Sequence, residues 1–410
     1  MKKIIVSAAV AAMALSTSAF ALEDIKVNGQ AKVWYETNSA GDNKILDLGA
    51  KSPASAEVVF KLGMTGKQGN VGFGAELTQG STMGLEGNLV SGARTGAANA
   101  DMFVSKAYIT APLGSDTIIK LGRQELNTPF AFTEKWNAMQ NNFDAAVLIN
   151  SSITNVTLIG AFVGQTNTDI GSGKPSWKAQ PSFSQLHGGA AAVGVLYKAD
   201  GLAVNAWGYH VRNLFDSGVT YNTTNAGVNV SSNAFWIDGS VKINDAATIK
   251  AYAAIITNDG DIAGVVDGDA TSAFALSGTF KVNGIKLFAA GSMVSEGDLA
   301  VGNVATNFKK TKLPTAGVYT DGLFVAQPES IAFKVKASGK VASTGLALQV
   351  INNSNDAVAS KETTEIDFII SQKVGVFNLK GLVMHRMFND DTTENNAGGQ
   401  HVRVIASVNF

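Results

Sequence analysis

Along this chain apolar and polar residues exchange at every second position in one short run after another, the period of an extended strand rather than of a helix. In the first run Ile25, Val27, Ala31, Val33 and Tyr35 alternate with Lys26, Asn28, Gln30, Lys32 and Trp34. In the last, Val402, Val404, Ala406, Val408 and Phe410 alternate with His401, Arg403, Ser407 and Asn409, and only Ile405 breaks the pattern. Equally clear runs cover 71–78, 118–123, 235–243 and 331–338. Fainter ones lie near 56–66, 102–111, 146–150, 155–164, 189–198, 202–212, 248–257, 271–282, 285–294, 344–352, 363–373 and 375–387, which brings the count to eighteen, with sixteen as the alternative.

The connections between runs sort by length. Short turns are expected around 67–69, 112–115, 151–154, 199–201, 244–246, 283–284, 339–343 and at Val374. Between them lie longer polar segments centred on Gly41, Met83, Ala131, Gly173, Thr223, Gly264, Thr311, Asn355 and Thr393. Strict alternation of short turns with long loops puts the two kinds at opposite ends of the strands. That is the plan of an outer-membrane barrel, whereas a β-sandwich does not sort its loops by end. Proline cannot donate to a strand ladder, and all seven prolines, at 53, 112, 129, 175, 181, 314 and 328, are read here into connections. Tyr35, Tyr209 and Phe235 near the loop end, with Phe280, Phe377 and Phe410 near the turn end, are expected to form two aromatic girdles. Trp136 and Trp177 fall in loops.

Composition narrows the class further. Lys2 and Lys3, the apolar run from Ile4 to Leu15 and the Ala19-Phe20-Ala21 site predict a secretory signal peptide over residues 1–21. Residues 22–410 then form a single all-β domain, a transmembrane antiparallel β-barrel. Hydrophobic residues make up 45% of the chain, yet after the signal no run of 18 apolar residues remains, so a closed barrel is the membrane-spanning structure left. The chain has no Cys, which removes disulfides and thiolate chemistry, and its net charge of -1 gives no general attraction to nucleic acid. The four histidines, His187, His210, His385 and His401, have no metal-ligand spacing, and there is no GxSxG elbow. These absences argue against an enzyme and predict no cofactor. The one candidate for a bound ion is calcium on Asp259, Asp261, Asp267 and Asp269, oxygen donors in one long loop that lacks the closing Glu of an EF-hand; loose bridging to lipopolysaccharide is the other reading of that loop.

If apolar residues face lipid, then Lys26, Lys32, Lys61, Glu76, Lys106, Lys120, Lys242, Lys250, Lys334, Lys336, Glu365, Asp367 and Arg403 line the lumen. Charges at this density need water, and eighteen strands enclose more space than side chains fill. The third long loop, taken as 125–144, is the candidate constriction. It mixes charge with amides, and Arg123, Glu125, Asn127, Glu134, Lys135 and Asp144 are its candidate pore residues.

The segment KAYITAPLGSDTIIKLGRQELNT, followed by FDAAVLINSSITNVTLIGAFVG, resembles the Campylobacter-type major outer membrane porins. The resemblance rests on the step Gly122-Arg123-Gln124 before the third loop and on Asn150-Ser151-Ser152 after it. It implies an eighteen-stranded, homotrimeric general diffusion porin of the Gram-negative outer membrane, set in lipid and lipopolysaccharide. Ions and small hydrophilic solutes would pass through it. It also implies a pore narrowed by the third loop. An adhesin or structural barrel working through its loops, and a barrel hydrolase, are the alternatives.

Overall fold

A computed structural model describes residues 22–39, 53–93, 95, 102–168, 179–216, 229–260, 268–355, 362–388 and 399–410. The segment read as a signal peptide, together with Trp177, Asp261 and Asp267, lies outside the described residues. Eighteen strands form one sheet: β1 (Glu23–Asn38), β2 (Ser55–Gln68), β3 (Val71–Ser81), β4 (Phe103–Pro112), β5 (Thr117–Gln124), β6 (Phe143–Asn150), β7 (Val156–Thr168), β8 (Ala179–Ala199), β9 (Leu202–Asp216), β10 (Asn229–Lys242), β11 (Ala247–Asn258), β12 (Thr271–Val282), β13 (Ile285–Val294), β14 (Ser330–Val341), β15 (Thr344–Asn355), β16 (Glu362–Val374), β17 (Phe377–Phe388) and β18 (Gly399–Asn409). Every strand pairs antiparallel with its sequence neighbours, and β18 closes on β1, from Gln30 opposite Asn409 to Asn38 opposite His401. Closure leaves no strand edge unpaired, which is what a barrel in lipid requires.

The outward rows are apolar: Val33, Phe60, Phe274, Phe333, Val335, Leu348 and Val404 are exposed on the outer surface. Phe410 stacks on Phe60 at the turn end, and its backbone pairs with Gly29. A Cβ at Gly29 would meet the Phe410 ring at 2.3 Å, so only glycine leaves room for the terminal aromatic.

The inner face divides into two sectors. From β14 through the β18–β1 seam to β5 the inward positions are mostly polar or charged. From β6 to β13 they are mostly apolar: Val147, Val163, Ala190, Trp207, Tyr209, Trp236, Ala254, Ala273 and Val294 are all buried. Two long loops dock on this apolar sector. The third loop, 125–142, and the seventh, 295–329, contribute Phe130, Leu299, Val301, Leu313 and Ala326 to one cluster with Trp207, Tyr209 and Trp236. They add Leu126, Ala131, Val304 and Ala305 to a second cluster with Val147, Val163 and Val211. The molecule therefore has a hydrophobic core, and it lies inside the barrel against one half of the wall.

The structure corrects three expectations here. Tyr209 faces inward, packed edge-to-face against Phe130 at 5.3 Å, and is no part of a lipid-facing girdle. Pro181 lies within β8, and Pro112 is the last residue of β4, rather than in connections. Pro181 is tolerated because β8 pairs with β7 at Ala179 and again from Ser184, so residues 180–183 have no partner in that ladder. Gly339 belongs to β14, and the turn that follows is confined to 342–343.

Candidate functional site: the lumen and its inward loops

The third loop crosses the lumen. Its first anchor is Phe130, whose ring meets Tyr209 and Trp236 edge-on at 5.3 and 5.7 Å. Its second is Met139, buried with Ala138 against Trp34 and Val59 on β1 and β2. Ile405, the one break in the alternation of the last strand, packs on this same cluster. Lys32 Nζ donates to the carbonyls of Asn137 and Ala138 at 3.4 and 3.3 Å, tying the loop to β1.

Charge fixes the loop's near side. Lys106 of β4 donates to Glu76 of β3 at 3.1 Å and to Glu125 at 2.6 Å, and Lys135 reaches Glu125 at 2.5 Å. Burial pushes the Glu125 carboxyl up. The hydrogen bonds from Lys106 and Lys135, the charge of Lys106 and the hydrogen bond from Gln140 outweigh that and hold it at about 2. Lys61, buried on the neighbouring strand, lies in the field of Glu76 and Glu125. Lys120 sits 3.8 Å above the Tyr108 ring.

The seventh loop is the functional element that sequence reading left unassigned. Its Asn303 caps a single 3-10 turn, Val304–Thr306, and is fully buried. The Asn303 amide donates to Phe132 O at 2.8 Å and to Glu134 at 3.0 Å, and its oxygen accepts from Phe132 N at 3.2 Å. Glu134 also accepts from Trp136 Nε1 at 2.6 Å and from the Thr306 hydroxyl. Burial, opposed by these bonds and by the charge of Lys310, raises the Glu134 carboxyl above its ordinary range. Lys312 donates to Asn127 at 2.8 Å, a further tie between the loops.

The far end of the seventh loop reaches the seam. Glu365 on β16 accepts the backbone N–H groups of Val318 at 2.7 Å, Tyr319 at 3.0 Å and Thr320. The Tyr319 hydroxyl donates to Glu36, which also takes Arg403 Nε at 2.7 Å. Within the loop, Lys309 and Lys310 meet the buried Asp321 at 2.8 and 2.9 Å. Buried charges are expensive unless paired or fully hydrogen-bonded, and this network supplies partners from β1, β16 and β18 to a single strap.

Lys26 and Lys250 lie in inward rows opposite Thr65 and Ser277. Lys242 bridges Asp245 at 2.6 Å on the turn rim. Asp367 accepts from Gln349 at 2.5 Å. Lys334 donates to Ala316 O in the seventh loop at 2.5 Å, and Lys336 occupies the next inward position of β14.

Arg123 and Asp144 are corrected. They lie on β5 and β6, outside the loop, which ends at 142. Gln124 points inward, its amide donating to the carbonyls of Gly122 and Ala145 at 3.2 and 3.0 Å. Its neighbour Arg123 therefore belongs to the outward row, opposite Ala107, and so does Asp144. There Arg123 pairs bidentately with Asp144 at 2.9 and 3.1 Å under the Phe183 ring, a contact of the loop-end rim and not of the pore. Of the acidic loop, Asp259 accepts from Ser231 N at 2.7 Å and Asp269 is exposed. Among the described residues no three His, Asp or Glu side chains converge as a metal site.

No protein-family model and no curated protein sequence matches the chain. Solved structures do. OccK3 (OpdO) of Pseudomonas aeruginosa superposes with a TM-score of 0.69 at 11% identity, over 94% of this chain and 96% of that one. A BenF-like porin from Pseudomonas fluorescens gives 0.68 at 15% identity, over 94% and 98%. OccAB1 of Acinetobacter baumannii gives 0.69 at 14%, over 96% and 98%. At these identities the chain shares a fold with them.

Proposed function

We propose that the chain is an outer-membrane diffusion channel through which ions and small hydrophilic solutes pass passively, without catalysis or energy coupling. The observation that carries this reading is the two-sided wall: an exposed apolar exterior around a closed eighteen-stranded barrel, with unequal sectors inside it. The apolar sector is occupied by the third and seventh loops. The polar sector is covered near the loop end, where the seventh loop packs Val325 and Ala316 on Ala332 and Ile351 and Glu365 holds 318–320, and it keeps Lys120 and Lys336 half-exposed in its inward rows. Charges left half-exposed there need water. Glu125, Asn127, Glu134 and Lys135 act at the constriction, Glu125 and Lys135 as groups lining it and Glu134 and Asn127 as positioning groups that hold the two loops together.

The shared fold with a BenF-like porin supports the channel reading, and the resemblance to the Campylobacter-type porins supports a homotrimer in the outer membrane, delivered there by a signal peptide cleaved near Ala21. Calcium in the loop carrying Asp259 and Asp269 belongs to the same proposal as a bridge to lipopolysaccharide. Single-channel recording of the purified protein in planar bilayers tests the channel itself: discrete ohmic steps are expected, and a protein that inserts without conducting overturns the proposal.

A further inference from the structure

The outer surface of β11 to β15 is hollowed into an apolar groove of about 600 Å³. Small side chains on the outward rows make its floor. Gly278 of β12 stands opposite Ala289 of β13, and Ala337 of β14 lies one outward step nearer the turns. Phe280 and Leu287, directly opposite each other, and Leu348, opposite Ala337, are its exposed walls. A Cβ added at Gly278 would meet nothing within 4 Å, so the floor is open. Gly278 is five residues from Asn283 in the β12–β13 turn. That is about 16 Å of strand, against about 15 Å for half of a bilayer's hydrocarbon core. The groove therefore lies in the leaflet on the turn side, where a hydrocarbon chain seated in it gains dispersion contacts on three sides instead of one.

The charge on the rim beside this groove is one-sided. Among the described residues the turn rim from β10 to β17 carries Lys242, Lys281, Lys286, Lys340 and Lys373 against Asp245. From β1 to β9 it is balanced, with Lys26, Lys67 and Lys198 against Glu23, Asp24, Asp116 and Asp200. Lys281 and Lys286 are direct cross-strand partners, and like charges so placed repel. Both start from the lumen-facing row, and a single pair, Val282 with Ile285, separates them from the turn. Their flexible stems reach past it to the headgroup level, as lysines at a membrane interface do. An anion there relieves the repulsion, and basic clusters at an interface select anionic headgroups. An ethanolamine or choline headgroup would bring one more cation to this rim; a phosphodiester without an amine would not. We propose that the groove holds one acyl chain of an anionic phospholipid of the phosphatidylglycerol class, whose phosphate lies among Lys281, Lys286 and Lys340. The site rests on the outer-membrane reading and deepens it by naming a lipid and a leaflet.

Native mass spectrometry of the detergent-solubilised barrel, titrated with dioleoyl phosphatidylglycerol or dioleoyl phosphatidylcholine, reads the site. The wild type should retain its first phosphatidylglycerol at a concentration at least fivefold below phosphatidylcholine. Gly278→Phe puts a ring on the open floor and should abolish that preference. Gly160→Phe, the same change at an equally open outward glycine of β7, opposite Leu148, should leave it as it was. The triple variant Lys281→Gln/Lys286→Gln/Lys340→Gln leaves the floor untouched and should bring phosphatidylglycerol to the level of phosphatidylcholine. Equal retention of the two lipids by the wild type, or equal loss in the two glycine variants, overturns the site. So does an oligomer that Gly278→Phe breaks into single chains without any change in lipid preference, because the groove would then be an interface between copies. The titration needs no current. Selective retention by a barrel that does not conduct keeps the site and removes the channel; conduction without selective retention does the reverse.

Discussion

Phe130 shows how a single side chain sets the inside of this barrel. Its ring is 5% exposed and wedged edge-on between Tyr209 and Trp236, so the third loop is held by hydrophobic burial and not by charge alone. Phe130→Ala should cost about 3–5 kcal/mol of loop docking, read as larger and noisier single-channel steps with little change in the barrel's own melting. Glu125 gives the matching electrostatic prediction. Its folded carboxyl lies at about 2 against an ordinary 4.5, so the stabilisation it contributes is complete above 4.5 and is lost as pH falls towards 2. Conductance recorded from pH 6 downward should hold until about 4.5 and then turn noisy, and Glu125→Gln should abolish that acid transition. At this scale the sequence was partly readable. The alternation marks Lys106, Glu76 and Lys120 as inward and so puts Arg123 on the outward row; its place beside the third loop is what suggests the pore instead.

The seventh loop is the element whose role the sequence concealed. Period 2 reports which residues alternate in a strand and says nothing about which loop folds inward. The clue was indirect: inward positions of β6 to β13 are mostly apolar toward the loop end, which makes those halves of the strands apolar on both faces, a pattern that a packed interior explains. Nothing in sequence spacing pairs Asn303 with Glu134. Asn303→Ala removes the two hydrogen bonds to Phe132 and the one to Glu134, and leaves that buried carboxylate short of a donor. The expected result is a strap that opens: limited proteolysis of the folded barrel should cut between 295 and 329 in the variant and spare that segment in the wild type. Equal protection in both would show that the strap is held without Asn303, by its apolar contacts and its bonds to Glu365 and Glu36. β8 carries the other element-scale surprise. Its extension to Ala179 runs through Pro181 because the paired ladder skips those residues.

At the scale of the whole molecule the strand count, the sorting of loops by length and the β18–β1 closure were all legible, because lipid outside imposes one apolar face on every strand. The interior was not, because loops can substitute for water there. The resulting barrel is asymmetric: the third and seventh loops bury most of their apolar residues on β6 to β13, and meet the opposite, polar sector chiefly through hydrogen bonds and ion pairs to Glu36, Lys334 and Glu365. The water path is accordingly expected along β14 to β18 and β1 to β5. The chain has no cysteine of its own, which makes this directly measurable by placing one thiol at a time in the lumen and adding a charged methanethiosulfonate during bilayer recording. Lys336→Cys and Lys120→Cys should react within the recording and reduce the current stepwise, while Trp236→Cys and Ala254→Cys, buried beneath the loops, should remain unmodified. Modification of Trp236→Cys and Ala254→Cys at the rate seen for the two lysine positions would mean that water runs through both sectors, and would contradict this account of the pore.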